Sequence, residues 1–220
     1  IDEKTANQIY DDMTDFAKYA FNKSHAAAYA VVAYQTAFLK YYYPKEFMAA
    51  LMTSVMDNTT KVSEYILACR NMGIPILPPD INEGYSGFSV SGNGIRYGLS
   101  AIKSVGRAVV DVIIAERESG GLFKNLDDFV SRLSNKEVNK RTLESFIKSG
   151  ALDTLPGTRK QKLIVSGDLL ESKSKEKKTV MEGQMSFFDI APEEEKDNFH
   201  ITFPDVGEYD KQTLLAFEKE

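Results

Sequence analysis

The sequence predicts a mainly α fold: a helical first third, one small β-hairpin, a run of short helices and a polar C-terminal tail. Three observations carry this. Before residue 74, apolar residues recur every three or four positions in successive segments, which places them on one helix face. After Gly98, short helical patterns resume, punctuated by Asn and Gly. Between the two, Phe88, Val90, Ile95 and Tyr97 flank Ser91 to Gly94 (SGNG), the pattern of a hairpin.

Taken in order, Thr5 to Ala20 carries Ile9, Met13, Phe16 and Ala20 on one stripe. Ser24 to about Tyr42 follows, with Ala26, Tyr29, Ala30, Ala33 and Ala37 at helical spacing. Ser24 is placed to cap it, its hydroxyl accepting a first-turn N–H. Pro44 restarts a helix at the first turn, where a missing N–H does no harm, and Phe47, Met48, Leu51, Met52 and Val55 line it. Thr59 or Thr60 caps a fourth helix, with Val62, Tyr65, Ile66 and Cys69 inside and Gly73 at its end. The Met and Tyr residues of this region read as helical core. Ile76 to Asn82 breaks the helical pattern with two prolines. Beyond the hairpin, helices are expected over Gly106–Ser119, over Leu126–Leu133 behind a capping Asn125, over Asn139–Lys148 before Gly150, and from Thr158 to about Leu170. Lys173 to Lys178 reads as a flexible linker, and Glu193 to Lys196 as an acidic cluster. The apolar island Met185 to Ile190 lies between them, and Val206 to Glu220 carries the signal of a last helix.

The 220 residues, 43% hydrophobic, suffice for one large domain or two small ones. The single cysteine, Cys69, excludes an internal disulfide and fits a reducing compartment. Two histidines and one cysteine, scattered, give no metal-ligand spacing. No stretch reaches the ~20 apolar residues of a membrane span. The chain begins at Ile1 and reads as a piece of a longer protein. Its net charge of −5 averages unlike parts. Residues 1–170 hold 20 Lys+Arg against 19 Asp+Glu, and residues 171–220 hold 7 against 13. Within 96–162 the count is 13 against 8, so a basic module sits beside an acidic tail.

Three strings carry chemistry. Phe21 to Ala30, FNKSHAAAYA, sets Asn22, Lys23, Ser24 and His25 at the start of an apolar helix. A helix start offers free N–H donors and partial positive charge, so a lysine there makes an anion site suited to phosphate. AIKSVGRAVVDVIIAERE, from Ala101, has the pattern of a helix-hairpin-helix. There Val105 points inward, Gly106 allows close backbone approach, the N–H groups of Ser104, Val105 and Gly106 grip phosphate, and Lys103 and Arg107 add charge. Ser104 stands where the pattern usually has glycine. A weaker echo, Lys148, Ser149 and Gly150, lies about forty-five residues on, and Gly150 there also reads as a helix C-cap. In the tail, Gln184, Met185, Ser186, Phe187 and Phe188 form an aromatic island in polar surroundings, which needs a surface to bury against. Asp11, Asp12 and Asp15 read as a solvated helix face, and Asp127 and Asp128 as first-turn carboxylates favoured by the helix dipole. No Ser/His/Asp set or Walker loop is present, so no catalytic or metal-ligating residue is assigned.

FNKSHAAAYA, followed by AYQTAFLKYYYPKEFMAALMTS, closely resembles the fingers of the bacterial replicative polymerases of family C, the DNA polymerase III alpha-subunit family. The resemblance runs through nearly the whole chain. It implies that residues 1–83 are the C-terminal part of the fingers, 84–170 a β-hairpin plus tandem helix-hairpin-helix, and 171–220 a polar linker with a clamp-binding motif and the start of the next domain. It further implies that Asn22, Lys23, Ser24 and His25 border the incoming dNTP or the template. Lys103 to Arg107 and Lys148 to Gly150 would hold primer–template duplex DNA, and Gln184 to Phe188 would bind the sliding clamp (the beta subunit). The family's Mg2+-holding aspartates lie in a palm upstream, so this piece is expected to carry no cofactor and no catalysis of its own. Other replisome subunits are expected partners, no membrane is, and the setting is the bacterial cytoplasm. Two other classes share part of the pattern: a helix-hairpin-helix accessory of repair or recombination without polymerase activity, and a protein-interaction adaptor suggested by the acidic tail.

Overall fold

The computed structural model describes residues 1–18, 23–133, 138–181 and 202–219. By packing, the chain divides into two compact units, Ile1–Phe47 and Met48–Glu220. In the first unit, α1 (Glu3–Lys18) starts two residues earlier than its apolar stripe suggests, because Asp2 accepts the Thr5 N–H at 2.7 Å. That hydrogen bond holds the Asp2 carboxyl below its usual range. α2 (Lys23–Tyr42) begins before Ser24, so Ser24 sits inside the first turn and is not the cap. The core role expected for α1 and α2 is also not met. α2 has no buried residue, and Phe16 and Tyr34 are 76% and 71% exposed. An apolar face is buried only against a second layer, and among the described residues none covers these.

α3 (Pro44–Ser54) buries Met48, Ala49 and Met52, and α4 (Thr59–Asn71) buries Val62 and Cys69. The cap of α4 is Asn58, not Thr59 or Thr60; its Oδ1 accepts the Lys61 N–H at 3.0 Å. The C-terminal end of α4 is closed by a Schellman pair, Gly73 N–H to Arg70 O and Ile74 N–H to Cys69 O, with Gly73 at φ +71°. The expected hairpin forms from β2 (Ser89–Ser91) and β3 (Gly94–Arg96), joined by Gly92-Asn93. A strand absent from the sequence reading, β1 (Ile76–Leu77), pairs parallel with β3, giving the order β1-β3-β2. Its ladder uses the carbonyls of Pro75 and Leu77, which accept from Ile95 and Tyr97. Proline lacks a donor but keeps its acceptor, so it is tolerated at this edge.

The remaining helices are α5 (Arg107–Gly120), α6 (Leu126–Leu133), α7 (Lys140–Lys148), α8 (Arg159–Met181) and α9 (Lys211–Lys219). Asn125 caps α6 and Asn139 caps α7, accepting from Asp128 and Thr142. One core joins Leu99, Val110, Ile113, Phe123, Phe129, Phe146 and Leu152, with the rings of Phe123 and Phe146 meeting that of Phe129 edge-on. Arg117 is buried, donating to Ile81 O and Gly84 O, which ties the loop after β1 to α5. α8 runs on to Met181, through the stretch expected as a linker from Lys173 to Lys178. Lysine and glutamate are good helix formers, so low hydrophobicity does not end a helix already nucleated. The acidic cluster Glu193 to Lys196 lies outside the described residues.

Candidate nucleic-acid interface

The first hairpin is built by the chain between β3 and α5. A single 3-10 turn, Leu99–Ala101, stands where a short helix is expected. Ile102 and Val105 are buried and pin the turn to the core, while Lys103, Ser104, Gly106 and Arg107 face solvent. The inward role expected for Val105 is therefore observed. Its N–H, however, donates to Ile102 O at 3.1 Å and is not available to a ligand. The free donors are those of the first turn of α5, which have no intrahelical partner and no side-chain cap.

Two residues set this turn apart. Ser104 lies at φ +67°, alone among the described non-glycine residues in the left-handed region. That conformation costs about 1–2 kcal/mol with a Cβ present. The glycine usual at this position is replaced, yet the tight turn persists. Gly106 has an ordinary φ of −81°, and a Cβ built there meets nothing within 4 Å. Neither its conformation nor its packing requires glycine, and the open space beside it leaves the backbone accessible from outside. An uncapped helix start with Lys103 and Arg107 beside it can hold an anion.

The second hairpin, between α7 and α8, differs. Gly150 lies at φ +81° in a Schellman cap: its N–H donates to Ile147 O, and the N–H groups of Ser149 and Ala151 donate to Ser145 O and Phe146 O. All three backbone donors are committed, so the C-cap reading of Gly150 holds and these amides are not open to phosphate. Arg159, mostly buried, covers the turn; it donates to Lys148 O at 3.0 Å and pairs with Asp153 and, at 3.1 Å, Glu218. Thr158 and Gln161 cap α8 reciprocally: Gln161 N–H donates to Thr158 Oγ1 and Thr158 N–H to Gln161 Oε1. The next open donors, Arg159 N–H and Lys160 N–H, donate to the two carboxylate oxygens of Glu208 at 2.8 and 3.1 Å. Burial raises the Glu208 pKa, but the N–H donations from Tyr209, Arg159 and Lys160 outweigh it and hold the carboxyl below its usual range. Beneath the turn, Lys162 is fully buried and donates to Leu152 O and Leu155 O at 2.7 and 2.8 Å. Sequence reasoning missed Arg159, Lys162 and Glu208. The Thr158-x-x-Gln161 box was a legible sign of the helix start; the partner from residue 208 was not.

At the start of α2, Lys23, Ser24 and His25 are exposed, and the His25 ring lies 4.4 Å from that of Tyr29. Asn22 and the motif Gln184 to Phe188 lie outside the described residues. Among the described residues, no group of three or more His, Cys, Asp or Glu side chains is placed to hold a metal ion, and no helix is long and apolar enough to cross a membrane.

Comparison with known proteins bears on the whole chain. The helix-hairpin-helix motif family matches residues 73–162, from the end of α4 into α8, and so takes in both hairpins. The DNA polymerase III subunit alpha of Borreliella burgdorferi is 42% identical over 219 residues. Those of Vibrio cholerae and Escherichia coli (strain K12) are 43% and 42% identical over 224 and 221 residues. Each alignment covers 100% of this chain and 19% of the relative, so the chain spans about a fifth of the length of the curated relatives it matches. Matched from end to end by these proteins, with the hairpin module at its centre, the chain belongs to the DNA polymerase III alpha-subunit family.

Proposed function

We propose that this chain is the part of a bacterial replicative DNA polymerase that borders the nucleotide and template, grips duplex DNA without sequence preference and tethers the sliding clamp. The first hairpin carries this reading: an uncapped helix start, a glycine that packing does not require, and two exposed cations. Such contacts position a duplex by its phosphates and carry no sequence information. In the whole polymerase, template-directed synthesis from dNTPs takes place in the cytoplasm, with Mg2+ held by carboxylates of the palm. The chain alone is inactive in nucleotidyl transfer. The match to the relatives extends beyond the hairpin module, so nothing favours a repair or recombination accessory. The direct test is duplex binding by fluorescence anisotropy. Binding of unrelated sequences at equal affinity, weakening as salt rises, is expected; affinity indifferent to salt contradicts it.

Two finer roles have their own tests. Exposed Lys23 at the start of α2 faces phosphate of the incoming dNTP or the template. In the full-length polymerase, Lys23→Ala raises the dNTP KM or lowers kcat, by about tenfold for one charge-assisted contact worth about 1.5 kcal/mol. Unchanged steady-state constants remove that role. Gln184 to Phe188 occupies apolar pockets of the clamp (beta subunit) and keeps it, with other replisome subunits, at high effective concentration. Gln184→Ala with Phe187→Ala then abolishes capture of the clamp in a pull-down, and undiminished capture places the contact elsewhere.

A further inference from the structure

The segment 202–219 covers the start of α8 and the cations beside it at the second hairpin. Glu208 takes the Arg159 and Lys160 N–H groups, and Glu218 takes the Arg159 guanidinium. The Tyr209 ring lies 5.6 Å from the Lys160 ammonium, and the Phe217 ring 5.5 Å from that of Lys148. Phe203 packs so close to Gly157 that a Cβ there would sit 2.7 Å from its ring. The segment holds four acidic residues against two lysines, whereas the turn it covers contributes Lys148, Arg159 and Lys160 against Asp153. A carboxylate on two first-turn amides, with aromatic and acidic groups on the flanking cations, occupies the positions a phosphate would take. The first hairpin, whose helix start has no side-chain cap and is also flanked by cations, has no such cover among the described residues.

We infer that segment 202–219 is an intramolecular competitor of duplex DNA at the second hairpin, with the Glu208 carboxylate seated where a DNA phosphate binds. The inference rests on the duplex-gripping function proposed above. It has a kinetic consequence: the module engages DNA first through the uncovered hairpin, and the second grip forms only as the segment leaves.

The test compares duplex binding by the intact 220-residue chain with that of Glu208→Ala and Asp205→Ala. Asp205 is exposed in the same segment, so its variant removes the same charge without touching α8. Glu208→Ala is expected to bind more tightly than Asp205→Ala and to steepen the fall of log Kobs with log[salt] by about 0.9, one added phosphate. Hydrogen exchange on the unaltered chain provides a measure independent of variant folding. Adding duplex is expected to lower amide protection in 211–219 while Arg159 and Lys160 amides stay protected. Equal responses of the two variants, or unchanged protection of 211–219 on DNA-bound chain, overturn this inference alone. Absence of duplex binding by all three proteins overturns it together with the function it rests on.

Discussion

Lys162→Ala is expected to destabilise the second unit by about 4 kcal/mol, and Lys162→Met by about half of that. The side chain is fully buried, and its ammonium donates to Leu152 O and Leu155 O, joining α8 to the turn that follows α7. Alanine leaves a cavity costing about 2–3 kcal/mol and strips both carbonyls of a donor, at about 1–3 kcal/mol for a fully orphaned group. Leu152 O still accepts the Leu155 N–H, so the polar loss falls mainly on Leu155 O. Methionine keeps the stem packing and loses only the donors. Relief from burying an ammonium offsets part of either loss. Chemical denaturation measures both values; wild-type stability in both variants would mean that this relief cancels the hydrogen bonds. Burial also pulls the Lys162 pKa below the ordinary lysine value. Between the lowered folded value and the ordinary one, the unfolded chain binds the extra proton. Stability contributed by this residue therefore rises with pH through that window, and Lys162→Met abolishes the rise.

Reversing both cations of the first hairpin, Lys103→Glu with Arg107→Glu, is expected to weaken duplex binding about a hundredfold. Losing two exposed attractions of about 0.7 kcal/mol each and gaining two repulsions of similar size comes to about 3 kcal/mol. Both side chains are exposed, and neither makes an ion pair among the described contacts, so the reversal removes no native ion pair there. The buried Ile102 and Val105 that hold the turn are untouched. A melting temperature that does not fall, because acidic side chains suit a helix start, with a large loss of affinity is the expected combination. Unchanged affinity in a folded variant means that the duplex does not rest on this turn.

Local chemistry was legible in the sequence where one cap or one turn decides the structure. Asn125 caps the start of α6 and Gly73 closes α4 as read, the α7 helix lies within one residue of its expected bounds, Gly92-Asn93 turns the hairpin, and Val105 points inward. Reading failed where neighbours compete: Asn58 outranks Thr59 as a cap, and α2 starts before Ser24. It failed again where partners are distant. β1 is two residues long and exists only through its pairing with β3. Glu208 reaches α8 across 48 and 49 positions, and no periodicity encodes such a contact. Nothing in the sequence marks Lys162 for burial, since lysine is almost never fully buried; the two carbonyls that accept from its ammonium make burial tolerable. The apolar stripe of α1 was visible, but a stripe shows only that a face seeks a cover.

The salt dependence of duplex affinity, measured side by side for the native chain and the Lys103/Arg107 reversal, tests the phosphate-gripping hairpin most directly. The native chain should give a linear fall of log Kobs with log[salt], and the reversal a slope shallower by about 1.8, two phosphates at about 0.9 each. Parallel lines for two folded proteins, or a native line without slope, would contradict the account.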